Sequence, residues 1–187
     1  MQSKTTEDCG NTSIIYVQQD VEKSKPFVPW VTIAITILCG FIHWYGKGWG
    51  ATGSDLWKQP LAFIGYQFTH INMDHLGYNM LYLWFCGPVL EKYLGKLKYS
   101  ILYLGSGLAS AIGFLALFPD AIIVGASGAI SGVIALYPFR HNGTLAQMIC
   151  FAIIAFTFFA EQHLGHLFGA IGGLLIYICI LNSKVNK

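Results

Sequence analysis

The sequence predicts an all-α polytopic membrane protein, a bundle of six transmembrane helices, and three observations carry that expectation. Of 187 residues, 55% are hydrophobic and only 11% are charged, where an ordinary soluble domain carries about a quarter charged residues. The apolar residues fall in runs divided by polar or Gly/Pro punctuation. A spanning helix takes about 20 of them, so six spans would use most of the chain and leave little for a soluble domain. The formal charge is +2, from 11 Lys plus Arg against 9 Asp plus Glu. No basic run is long enough for a nucleic-acid surface, so no nucleic-acid partner is expected.

Residues 1–25 hold Glu7, Asp8, Asp20 and Glu22 beside Lys4, Lys23 and Lys25, without the apolar core of a signal peptide, and are expected to be a flexible polar tail. Residues 26–183 form the expected membrane domain, and 184–187 a short basic C-terminal tail. The apolar runs place spans at Phe27–Tyr45, His75–Tyr93, Tyr99–Phe118, Ser127–Phe139, Leu145–Ala160 and Leu164–Leu181. Span 1 ends where Trp44, Trp49 and Trp57 gather around the first loop, as an interfacial aromatic belt would. Span 4 is short for a full crossing. Either it begins inside the bilayer depth or the chain before it dips inward, which lipid tolerates only where protein surrounds the backbone. Of the five cysteines, four lie in apolar runs with no metal-type spacing and read as small packing residues.

Orientation follows from the basic residues. Lys4, Lys23, Lys25, Lys92, Lys96, Lys98, Arg140, Lys184 and Lys187 share one face of a six-span topology, and only Lys47 and Lys58 lie on the other. Both termini are therefore expected to be cytoplasmic. Spans 2, 4 and 6 then all run inward from the outer face, and their first turns lie at similar depth.

Polar groups are expensive at such positions and are functional candidates by default. His75 and Asn79 open span 2, Ser127 opens span 4, and His166 lies in the first turn of span 6. No Asp or Glu occupies the middle of a span and no H-E-x-x-H occurs, so aspartyl and zinc-helix chemistry are not supported. A hydroxyl, two imidazoles and an amide remain. Serine is a weak nucleophile until a base takes its proton, and His166 is the natural base. The Ser127 N–H, the N-terminal end of its helix, His75 and Asn79 could stabilise an oxyanion, and the spacing of four puts His75 and Asn79 on one helix face. Two small-residue steps, Gly128 to Gly132 and Gly169 to Gly173, would let spans 4 and 6 approach closely. Each feature alone has a plainer reading. Ser127 could be an N-cap, either histidine a packing residue, and each glycine step packing only. His163 with His166, or His70 with His75, lack further ligands at metal spacing, so neither a metal nor an organic cofactor is expected.

These residues resemble the rhomboid family of intramembrane serine proteases. Gly125, Ala126, Ser127 and Gly128 match its G-x-S-G, and His75 with Asn79 matches its H-x-x-x-N, preceded by Phe68, Thr69 and His70. His166, Gly169 and Gly173 match H-x-x-G-x-x-x-G, and Glu91 with Gly95 matches the E-x-x-x-G that ends the second span. The resemblance covers about residues 27–182. It implies a six-span bundle with a cavity opening outward, Ser127 as nucleophile, His166 as base and then acid, and His75 and Asn79 at the oxyanion. It also implies single-span membrane proteins as substrates, cut near the outer end of their transmembrane segment. Two features depart from the family pattern: Leu61 and Ala62 replace a Trp-Arg pair, and Ser131 replaces an aromatic residue four after the nucleophile. The rival readings are a catalytically silent relative that binds membrane clients and a small transporter.

Overall fold

A computed structural model describes residues 26–46, 50–139 and 163–181. The expected span 5, Leu145–Ala160, and both tails lie outside the described residues. Among the described residues five principal helices follow one another: α1 Trp30–Tyr45, α2 Met73–Leu94, α3 Lys96–Leu117, α4 Ser127–Leu136 and α5 His163–Ile176. They coincide within a few residues with expected spans 1, 2, 3, 4 and 6. The α1–α2 connection carries short helical turns at Asp55–Lys58, Ala62–Gly65 and Tyr66–Phe68. Among the described residues there is no strand, only an isolated antiparallel bridge between Ala51 and Ile123.

Among the described residues one helix, Lys96–Leu117, is long and apolar enough to cross a membrane by itself, with a mean hydropathy of 1.7 over its best window. The other candidates fall short for physical reasons. Helix α2 has the length, 22 residues, but carries Asp74, His75, Asn79, Glu91 and Lys92. Helix α4 has 10 residues, which at 1.5 Å each reach only about half of a bilayer core. It is continued by a 3-10 turn at Tyr137–Phe139 and preceded by a loop whose last residues, Gly125 and Ala126, are buried in protein. The two residues of irregular backbone next to Ser127 are thus covered by protein, whereas Ile122 earlier in the loop is 69% exposed.

The start of α1 is fixed by a residue far along the chain. Its N-cap, Pro29, offers no capping side chain, so the first amides of the helix lack partners of their own. The carboxylate of Glu91, fully buried, accepts from Val31 N–H, Thr32 N–H and the Thr32 hydroxyl, each at 2.9 Å. A negative group at a helix N-terminus is also favoured by the helix dipole. Glu91 thereby joins the end of α2 to the beginning of α1, and four residues later Gly95 turns the chain into α3 with φ +77°, a conformation costly to any residue with a Cβ.

Helix α3 is the hub against which α4 and α5 both pack. Its contact face is made of small groups. The Ser106 hydroxyl bonds back to the Leu102 carbonyl at 2.7 Å, and a Cβ added at Gly132 or Gly128 would collide with the hydroxyls of Ser106 and Ser110 respectively. Cys39 and Cys86 are buried between helices, as packing residues should be, whereas Cys179 is exposed.

Candidate active site

Helices α4 and α5 meet backbone to backbone. A Cβ placed on Gly169 would lie against the Gly128 carbonyl, 2.9 Å from its carbon and 3.2 Å from the Gly128 Cα. One turn further, a Cβ on Gly173 would stand 2.6 Å from the Gly132 Cα. Residue numbers rise together along both contacts, so the two helices run parallel. Their N-terminal ends therefore lie side by side. Ser127 is the peptide neighbour of Gly128, and His166 precedes Gly169 by three residues, which is one turn on the same face. Both side chains are partly buried. The N-cap position of α4 belongs to Ala126, with no side-chain cap bond, so Ser127 is not spent as a cap.

The loop ahead of Ser127 is shaped by Gly125. Its φ is +113°, in the region that favours glycine, and its amide donates to the Tyr66 carbonyl at 2.9 Å. It is also needed for space, since a Cβ there would lie 2.6 Å from Cε1 and 2.8 Å from Nε2 of His75. The His75 imidazole thus rests on the backbone two residues before Ser127. Helix α2 brings it there from an N-terminus capped by Asn72, whose side chain accepts from His75 N–H at 2.8 Å. Asn79 follows one turn later, buried, with its Nδ2 donating to the His75 carbonyl at 2.8 Å. An amide nitrogen has two hydrogens, so one donor of Asn79 remains for another acceptor.

Sequence reasoning gave His70 only a motif position and a dismissed metal role, and its structural place is more specific. It is buried, packs edge-on to His75 with ring centroids 5.1 Å apart, and its Nε2 accepts from Ala126 N–H at 3.5 Å. Burial, then the neighbouring His75, pushes its pKa down from 6.5 to about 4, so it is a neutral acceptor at physiological pH. Of the residues that depart from the family pattern, Ser131 donates its hydroxyl to the Ser127 carbonyl at 2.8 Å, and Leu61 is 74% exposed.

The arrangement offers a hydroxyl and an imidazole at the adjoining ends of two parallel helices, with a second imidazole against the loop that precedes the hydroxyl and an amide one helical turn behind it. Comparison with known proteins gives the chain's relatives. Residues 54–183 match the family model described as the Rhomboid domain. The chain is 30% identical over 153 residues to the putative rhomboid protease YdcA of Bacillus subtilis (strain 168), covering 74% of this chain and 75% of that protein. It is 32% identical over 180 residues to rhomboid protease GluP of the same organism, covering 81% of this chain and 34% of that one. Rhomboid-type serine protease 2 of Emericella nidulans is 27% identical over 169 residues, with 80% and 33% covered. The chain thus spans three quarters of the first relative and about a third of the other two.

Proposed function

This chain belongs to the rhomboid family, and on that premise we propose that it is an intramembrane serine endopeptidase working through a Ser127–His166 dyad. Membership implies an integral membrane protein, and relatives named as a putative rhomboid protease and a rhomboid-type serine protease support hydrolase chemistry at the level of the family. The single observation that carries the residue assignment is the contact of Gly128 with Gly169, which aligns the helix ends bearing Ser127 and His166.

In this reading His166 takes the proton of the Ser127 hydroxyl as the oxygen attacks a peptide carbonyl, then returns it to the leaving amine. Water repeats the sequence on the acyl-enzyme. The negative oxygen of the tetrahedral intermediate is met by the Ser127 N–H, at a helix N-terminus whose first amides have no intrahelical acceptors, by His75 and by the remaining donor of Asn79. No metal or organic cofactor takes part. The substrates are single-span membrane proteins cut near the outer end of the transmembrane segment, because a helical carbonyl is already hydrogen-bonded and only an unwound backbone can be attacked. The membrane domain is 26–183, with both termini cytoplasmic and the site opening to the outer face.

The test is incubation of detergent-purified protein and its Ser127→Ala variant with a single-span substrate, followed by mass measurement of the products. Cleavage by the wild type alone is expected, with both proteins equally folded. Cleavage that survives in Ser127→Ala would refute the dyad. Absence of cleavage by both, with client binding intact, would favour a silent relative.

A further inference from the structure

The loop that delivers Ser127 is tied to the first connection at three places. Gly53 N–H donates to the Pro119 carbonyl at 2.9 Å, Ala51 and Ile123 exchange two backbone bonds at 3.0 and 2.9 Å, and Gly125 N–H reaches the Tyr66 carbonyl at 2.9 Å. The ties follow the loop from its first residue to within two of Ser127. Ala51 is fully buried and packs in a cluster with Phe63, Tyr66, Ala111 and Leu115, so the near side of the bridge is anchored in the core.

What holds the outermost tie is a small polar turn. The Asp55 carboxylate accepts from Thr52 N–H at 2.7 Å and from the Thr52 hydroxyl at 2.8 Å, while Asp55 N–H donates to the Thr52 carbonyl at 3.0 Å. The carboxyl is accordingly held below its usual pKa range by the Thr52 amide and then the Thr52 hydroxyl. Gly53 sits at the tip of this turn and fits against the loop with nothing to spare, since a Cβ would be 2.9 Å from the Pro119 oxygen. Thr52 and Asp55 are partly exposed and belong to no hydrophobic cluster, so they contribute little to the general stability of the bundle.

We propose that Thr52 and Asp55 are positioning residues, whose turn braces the 119–126 loop through the Gly53–Pro119 bond and the adjoining Ala51–Ile123 bridge and so fixes where Ser127 stands relative to His166. The inference rests on the functional reading above only for its catalytic consequence; the brace itself is a property of the loop. Ser127 is reached through irregular backbone, which without a fixed edge would sample many positions, and misplacement by about 1 Å is enough to cost about 100-fold in rate. The brace supplies that edge from a part of the chain that touches no reacting atom.

The test pairs hydrogen exchange with kinetics on the full chain in detergent. Asp55→Ala should raise amide exchange in peptides covering 119–126 by about tenfold while leaving α1 and α3 unchanged, because one charged acceptor of two bonds is lost. With a single-span substrate, kcat should fall by a similar factor at unchanged KM. Asp55→Asn, which keeps an acceptor oxygen, should restore most of both, and Gly53→Val, which pushes on Pro119, should reproduce the Asp55→Ala pattern. Unchanged exchange in 119–126 would overturn the brace, and raised exchange with unchanged kcat would overturn its positioning role. A wild type that cleaves nothing would instead count against the functional reading, with the brace decided by exchange alone.

Discussion

Replacing Gly169 by Ala adds one methyl group where α4 and α5 touch, and its consequence can be worked from the contact itself. The new Cβ would lie 2.9 Å from the Gly128 carbonyl carbon and 3.2 Å from its Cα, and closer still to the oxygen. Ordinary carbon contacts begin at about 3.5 Å, and all of these neighbours are backbone, so the strain cannot be relieved by a rotamer change. The helices must part by about 1 Å at the level of Ser127 and His166, a displacement that costs about 100-fold when it separates a nucleophile from its base. At 1.36 kcal/mol per tenfold, that is about 2.7 kcal/mol of transition-state stabilisation. Overpacking of this kind also destabilises the fold by about 1–3 kcal/mol. Initial rates across a substrate range, measured beside thermal unfolding, separate the two effects: kcat should drop about 100-fold in the fraction that remains folded. Gly77→Ala is the control, since nothing lies within 4 Å of its added Cβ. Gly173→Ala, one turn further from His166, should destabilise as much but slow cleavage less. A Gly169→Ala protein that cleaves at the wild-type rate would refute the claim that this contact sets the dyad.

Two further outcomes follow from the buried polar groups. Glu91→Ala removes the acceptor of three bonds at the start of α1 and leaves two amides and a hydroxyl without it, for a loss of about 3 kcal/mol or more. Thermal unfolding reads this loss, and a variant as stable as the wild type would show that α1 is held by packing alone. His70 adds a pH dependence whose sign is set by its lowered pKa of about 4. Between pH 6.5 and about 4 the unfolded chain takes up a proton that the folded protein refuses, so stability is flat above 6.5 and falls as the pH drops through this window, by up to about 3 kcal/mol. Unfolding temperatures measured from pH 7.5 to 4.5 should show the fall, and His70→Gln should flatten it; an equal slope in the variant would place the acid sensitivity elsewhere.

The parts of this fold that were legible in the sequence are those written in side chains. Apolar runs located α2 and α3 to within a few residues, because the punctuation between the runs is written in residue type rather than in partners. The glycine steps at 128/132 and 169/173 were legible for a related reason, since two backbones can touch only where side chains are missing. Other features left no such trace. Glu91 was visible as part of a motif, but its partners are the main-chain amides of Val31 and Thr32, and an amide that needs an acceptor looks the same at every residue. His70 suggested a metal only because two nearby histidines have few other sequence-level meanings, whereas its observed neighbours are the ring of His75 and the amide of Ala126.

This division bears on how the site tolerates its departures from the family pattern. The position of Ser127 is determined chiefly by backbone contacts: Gly128 against Gly169, Gly125 under His75 and on the Tyr66 carbonyl, Ala51 paired with Ile123. None of these requires a particular side chain at residues 61, 62 or 131. Substituting Leu-Ala for Trp-Arg therefore alters what the first connection presents outward, with Leu61 exposed, while the three main-chain ties to the 119–126 loop remain. Likewise Ser131 turns its hydroxyl back to the Ser127 carbonyl within α4 and leaves the glycine contact with α5 untouched. A site held by main-chain geometry can change such residues and keep these contacts. A single added Cβ at Gly125 or Gly169, however, would meet His75 or the α4 backbone directly, so around Ser127 tolerance should be greater at residues 61, 62 and 131 than at these two glycines.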